Sequence, residues 1–132
     1  MISGLHHVLI ACPAGSEQAI RDFYGDLLGM TEVAKPAALV ARGGAWFRSG
    51  TAELHVGVEE PFRPATKAHP AFVVAGPGGL DALCARLRAA GVDAEPDLLL
   101  PGYRRVYVHD PFGNRIELLE PLPEQAHGHV PE

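Results

Sequence analysis

Two rhythms of apolar residues alternate along this chain, and each occurs twice. Residues 5–11 (LHHVLIA) follow a period of two. Leu5, His7 and Leu9 fall on one face, His6, Val8 and Ile10 on the other, which is a strand pattern. Cys12-Pro13-Ala14-Gly15 interrupts it. Ser16 then suits an N-cap, and Glu17 lies at the positive end of a helix dipole. Ile20, Phe23, Tyr24, Leu27 and Leu28 recur at helical spacing until Gly29. The spacing predicts an amphipathic helix over 16–28 whose apolar stripe needs a sheet to cover. Residues 30–33 read as a short strand and 37–42 as a short strand or a loop. Residues 45–48 read as a strand that Ser49-Gly50-Thr51 turns back into 52–58 (AELHVGV). That last strand carries Glu53, His55 and Gly57 on one face and Leu54, Val56 and Val58 on the other.

The same order returns after a stretch with two prolines, 59–67 (EEPFRPATK). Residues 69–75 predict a strand, and Gly76-Pro77-Gly78-Gly79 breaks it. Leu80, Leu83, Cys84 and Leu87 mark a second helix that Gly91 ends. A short strand over 92–95 and a loop over 96–102 follow. The loop's Leu98-Leu99-Leu100 patch is placed to flank a pocket. The chain closes on a hairpin over 104–120, turning at Asp110-Pro111-Phe112-Gly113-Asn114. There Pro presets φ, Gly permits a positive φ, and Asp and Asn can bond nearby backbone. One domain is expected: a first βαβββ module over 1–60, a linker over 61–68, a second module over 69–121, and a disordered or loosely docked tail over 122–132. His69 follows His7 by 62 positions, and Glu117 follows His55 by the same interval. Such a fixed offset is the mark of an internal repeat.

Composition narrows the function classes. The chain has 132 residues, 47% of them apolar, which is enough for a real core. Its net charge is −5 and its only basic doublet is Arg104-Arg105, so a nucleic-acid partner is not expected. Two cysteines make no disulfide framework and suit a reducing, cytoplasmic setting. With the first strand so close to Met1 no signal peptide is expected, and no apolar run approaches a membrane span.

The candidate chemistry falls within strand interiors, which give rigid support. Glu117 lies in an otherwise apolar strand, and a carboxylate there needs a metal, an arginine or a substrate as partner unless that face is wetted. With the repeat in register, His7, His55, His69 and Glu117 occupy matching places in two half-sheets. Imidazole nitrogen and carboxylate oxygen together suit zinc, iron, nickel or manganese. His6 alternates with His7 and belongs to the opposite face. His109, His127 and His129 fall outside this set.

At these residues the chain resembles the vicinal oxygen chelate superfamily, which includes glyoxalase I, fosfomycin resistance enzymes, extradiol dioxygenases, methylmalonyl-CoA epimerase and bleomycin resistance proteins. The resemblance lies in GLHHV, FYGDLLGM, ELHVG, HPAFVV and DPFGNRIELLEP, together spanning residues 4–121. It implies an α+β fold in which two βαβββ modules form a cupped mixed sheet around one divalent metal. It places metal ligands at His7, His69 and Glu117, with Glu53 or His55 completing the set. It implies a small substrate that chelates the ion through two oxygens, with Glu53 and Glu117 as candidate proton carriers. Tyr107 stands ten positions before Glu117, as a substrate-contacting tyrosine does in the fosfomycin enzymes; a core aromatic is the other reading. Tyr107 shares its face with Arg105, a further substrate-binding candidate. Of Trp46 and Phe47 only one can face a cavity. Arg21 and Arg48 are further candidates for an anionic substrate, or solvated surface residues. Signatures for glutathione binding or for the fosfomycin enzymes' potassium loop are not evident. Three functions follow: a lyase, isomerase or transferase of glyoxalase type, an extradiol-type dioxygenase, or a drug-binding protein like those for bleomycin resistance. A homodimer is the expected assembly, and the linker is long enough for the modules to pair within or between chains.

Overall fold

The structure is a computed structural model that describes residues 1–123. His127 and His129 lie outside the described residues. The first half of the chain contains β1 (Val8–Cys12), α1 (Glu17–Ile20), β2 (Thr31–Val33), β3 (Ala45–Ser49) and β4 (Ala52–Val58). The second contains β5 (Ala71–Val73), α2 (Gly79–Ala89), β6 (Glu95–Pro96), β7 (Tyr103–His109) and β8 (Arg115–Pro121). The strands form two mixed four-stranded sheets with orders β1-β4-β3-β2 and β5-β8-β7-β6. In both, the first strand runs parallel to the last and the other neighbours are antiparallel. This is the α+β duplication that the two rhythms predict.

Local chemistry explains the elements and their departures from expectation. Gly50 stands first in the two-residue loop between β3 and β4 with φ +56°, the place where a type II′ hairpin calls for glycine. α1 runs on into a wider, π-type segment, Arg21–Leu27, where Leu28 N–H donates to Phe23 C=O at 2.9 Å. Phe23 and Tyr24, adjacent in sequence, are both buried there. Residues 37–42 are neither strand nor loop: they form a 3₁₀ helix, Ala37–Arg42. Pro36 leads into it, Ala37, Ala38 and Leu39 have good helix propensity, and Leu39 N–H bonds Pro36 C=O at 2.8 Å. β1 begins at Val8 rather than residue 5, so His7 immediately precedes it, as His69 closely precedes β5. Leu98 and Leu99 are exposed.

The described chain divides into two compact units, Met1–Ala68 with Asp110–Asn114, and His69–His109 with 115–123. The first unit's core combines Ile10, Phe47, Leu54 and Val56 with Ile20, Phe23 and Tyr24. The second combines Leu80 and Leu87 of α2 with Val106, Val108, Ile116 and Leu118. In the first unit, a buried polar network forms around Asp110. Its Oδ1 accepts from the N–H groups of Phe112 and Asn114, both at 2.9 Å. Its Oδ2 accepts from Tyr24 O–H at 2.7 Å and Asn114 Nδ2 at 2.9 Å. Asn114 also donates to Ala11 C=O and accepts from Ala65 N–H.

Two stability tests arise here. Gly44 has φ +80°, and a Cβ added to it would lie 2.0 Å from Val56 C=O oxygen. Both backbone strain and overpacking oppose any side chain. Gly44→Ala is expected to cost about 2–4 kcal/mol, measured as a lowered urea midpoint.

Tyr24 provides a pH test. Burial, then the charge and hydrogen bond of Asp110, hold its phenol well above the ordinary value. The unfolded chain loses that proton near pH 10, while the native state retains it. The unfolded state therefore binds fewer protons, and this contribution to stability, intact below pH 10, falls as pH rises toward the native value. Urea unfolding of Tyr24→Phe should show a shallower alkaline decline than wild type.

Candidate functional site

In the first unit, three rings form a column beside β1 and β4. Trp46 stacks on His55 with centroids 3.7 Å apart and planes 3° from parallel, and His55 stacks on His7 at 4.0 Å and 20°. The register explains part of this: Trp46 and Leu9 both lie directly opposite His55, and His7 is two residues before Leu9. Phe47 points the other way and is fully buried, so Trp46 is the aromatic that faces the cavity. The column lines a cleft of about 480 Å³ whose other walls include Leu9, Leu39, Lys35 and Arg42. His55 is buried, and that burial lowers its imidazole pKa despite Glu53 beside it. Its Nε2 lies 3.3 Å from Glu53 Oε2. Bonds from His55 and then Arg48 hold the Glu53 carboxyl below its usual range. His6 and His7 are exposed, with their Nδ1 atoms 2.9 Å apart.

In the second unit, Glu117 is 5% exposed. Its Oε1 lies 2.8 Å from His69 Nε2, and its Oε2 accepts from Arg105 Nη1 at 3.2 Å. Arg105 also pairs with Asp97 at 3.3 Å. Glu117 is thus not a wetted surface residue: an arginine and a histidine satisfy the carboxylate. Tyr107, directly across from Glu117, meets His69 edge to face at 5.4 Å. The guanidinium of Arg115 lies over the Tyr107 ring at 3.8 Å and that of Arg105 at 5.3 Å. Tyr107 is half-buried within this polar cluster.

The two units carry corresponding arrangements. Leu9 pairs with His55 and Ala71 with Glu117, with a histidine two residues before each of Leu9 and Ala71. His7 and His55 therefore gather in one unit, and His69 and Glu117 in the other. Within the described residues, no group of three or more His, Cys, Asp or Glu side chains stands close enough to hold an ion. Arg21 pairs with Glu32 at 2.8 Å, and Arg48 with Glu53 at 3.0 Å. Cys12 and Cys84 are free thiols that burial pushes up in pKa, which suits packing rather than nucleophilic chemistry. Sequence reasoning missed Asp97, which lies distant in sequence from Glu117, and Arg115. The 62-residue offset was the available signal for Arg115, since it places residue 115 on residue 53.

The duplicated βαβββ topology and its His and Glu pairs define a class. The family model for the Glyoxalase/Bleomycin resistance protein/Dioxygenase superfamily matches residues 4–118, and the chain belongs to that superfamily. A putative glyoxalase family protein from Bacillus anthracis is similar at 45% identity and a TM-score of 0.86, covering 92% of this chain and 98% of that one. A glyoxalase/dioxygenase from Nostoc punctiforme is 27% identical with a TM-score of 0.72, covering 90% and 91%. A mutant of the fosfomycin resistance protein FosX from Listeria monocytogenes, complexed with Mn(II) and 1S,2S-dihydroxypropylphosphonic acid, is 21% identical. Its TM-score is 0.74 over 98% of this chain and all of that one, which shows a shared fold. The curated proteins contain no match. No helix among the described residues is long and apolar enough to cross a membrane.

Proposed function

We propose that the protein is a metal-dependent enzyme of glyoxalase type, a lyase, isomerase or transferase for a small substrate with two chelating oxygens. The carrying observation is Glu117: a buried carboxylate bonded to His69, at the ladder position that His55 occupies in the first unit. His7, His69 and Glu117 would hold the ion, with Glu53 as the fourth ligand. Glu53 is favoured over His55 because the Nε2 edge of His55 is directed at Glu53 Oε2, 3.3 Å away. Nearly parallel stacking also keeps the ring edges of His7 and His55 from converging on one point. His55 would then orient Glu53 through its Nε2.

A bound divalent ion supplies Lewis acidity toward a substrate oxygen. The chain's own residues supply the rest. Glu53, held ionised by His55 and Arg48, is an available proton acceptor. Arg105 fixes the Glu117 carboxylate, and Trp46 and Tyr107 offer ring surfaces to substrate. The FosX complex with Mn(II) supports a divalent ion, with zinc, nickel, iron or manganese as candidates. We further propose a cytoplasmic homodimer; the free cysteines fit a reducing compartment.

The ring column and its cleft favour a second reading, a binder of a planar drug or metabolite in the manner of bleomycin resistance proteins. Metal content separates the two. Untagged protein is expected to carry about one divalent ion per chain, measured by plasma mass spectrometry with size-exclusion light scattering for the assembly. Metal-free protein that cannot be reconstituted would overturn the enzyme reading. Oxygen uptake with catechols would redirect it to dioxygenase chemistry.

A further inference from the structure

The two units carry opposite charges at one matched position beside their paired side chains. Glu53 lies two residues before His55 on β4, and Arg115 lies two residues before Glu117 on β8. Strand pleating puts each on the same face as the residue two further on. The first unit thus presents a carboxylate where the second presents a guanidinium.

Arg115 is unlike Arg105, the other arginine on its face. Arg21, Arg48, Arg104 and Arg105 all pair with carboxylates. Among the described residues, Arg115 has no ion pair or hydrogen bond, although it is half-buried. Its guanidinium carbon rests 3.8 Å over the Tyr107 ring. That cation–π contact holds the side chain in place and uses none of its N–H donors. Tyr107 in turn stands opposite Glu117, so the free donors sit beside the Glu117–His69 pair. Arg105 cannot take the same role, because its amino groups already serve Glu117 and Asp97.

We infer that Arg115 is an oxyanion subsite. The substrate would carry a carboxylate, phosphate or phosphonate besides its chelating oxygens, and Arg115 would bind that group with paired N–H donors. Arg105 and Arg115 share the face with Glu95, Asp97 and Glu117, but Arg105 is spent on Glu117 and Asp97, so among the described residues Arg115 is the cation of this face without a carboxylate partner. The inference deepens the metal-enzyme reading and rests on it for the subsite's role in turnover. Anion binding itself requires only Arg115 and Tyr107.

The test uses inorganic phosphate as probe, titrated into the EDTA-treated full chain at constant ionic strength and followed by phosphorus NMR. Wild type should bind saturably. Arg115→Gln should weaken binding at least tenfold, and Arg115→Lys, which keeps the charge but not the paired donors, should fall between. Arg88→Gln on exposed α2 should match wild type, and near-UV circular dichroism checks the fold of each variant. Equal affinity in wild type and Arg115→Gln, with Arg115→Lys also unchanged, would overturn the inference, as would an absence of saturable binding in wild type. Metal content of Arg115→Gln should equal that of wild type. If wild type holds no metal yet the phosphate series behaves as stated, the enzyme reading fails and the subsite stands.

Discussion

Asp110→Ala is expected to lower the unfolding free energy by about 3–5 kcal/mol. Alanine at this position removes acceptors from four donors at once: Phe112 N–H, Asn114 N–H, Asn114 Nδ2 and Tyr24 O–H. Asp110, Asn114 and Tyr24 are all nearly inaccessible to water, so the freed donors find little compensation. The individual losses are not additive within one network, which caps the total well below four full penalties. A marginal domain has about 5–15 kcal/mol in all, so the variant should unfold at much lower urea. Asp110→Asn keeps two acceptor lone pairs and should lose less. Urea unfolding followed by circular dichroism reads the effect. A loss below about 1 kcal/mol, the size of a single exposed hydrogen bond, would mean that water reaches the turn.

Glu117→Gln is expected to abolish turnover and to lower metal affinity at least a hundredfold, while the fold survives. The amide matches the carboxylate in size but lacks its charge, and a neutral amide is a poor ligand for the candidate metals. Arg105 would retain Asp97, and the amide could still bond either His69 or Arg105. The stability cost should therefore stay near 1–3 kcal/mol. Plasma mass spectrometry after equilibration with one equivalent of ion reads the affinity, and thermal melting reads the fold. Glu120→Gln is the matched control. Glu120 lies on the same strand, but its Oε1 accepts from Leu80 N–H and its Oε2 pairs with Arg104. Its metal content should stay at the wild-type level. Metal retained in Glu117→Gln at full affinity would remove Glu117 from the ligand set.

Strand and helix order was legible in the chain itself, because it depends on short-range periodicity and on breaks such as Cys12-Pro13-Ala14-Gly15 and Gly76-Pro77-Gly78-Gly79. The duplication was legible too. The equal offsets from His7 to His69 and from His55 to Glu117 reappear as equal ladder registers in the two sheets. The Asp110 turn was readable as a turn, since its bonds to Phe112 and Asn114 N–H span two to four residues.

Longer-range choices were made only in three dimensions. Sequence could say that one of Trp46 and Phe47 faces a cavity; packing against Tyr24 buried Phe47 and left Trp46 on His55. Residues 37–42 were ambiguous because six residues carry too little periodicity to separate a strand from a tight helix. The second oxygen of Asp110 bonds Tyr24, 86 residues away, on a helix position that its spacing marks only as apolar. Glu117 needed a partner by its own chemistry, but the identity of Arg105 and His69 followed from strand pairing. Nothing in the local pattern singled out Arg115; the β7–β8 register set it against Tyr107. The chain alone determined which side chains could do chemistry and which element carries each, because burial period and turn propensity are local properties. Tertiary structure decided which of them meet, because a contact across strands depends on register and packing among residues far apart in sequence.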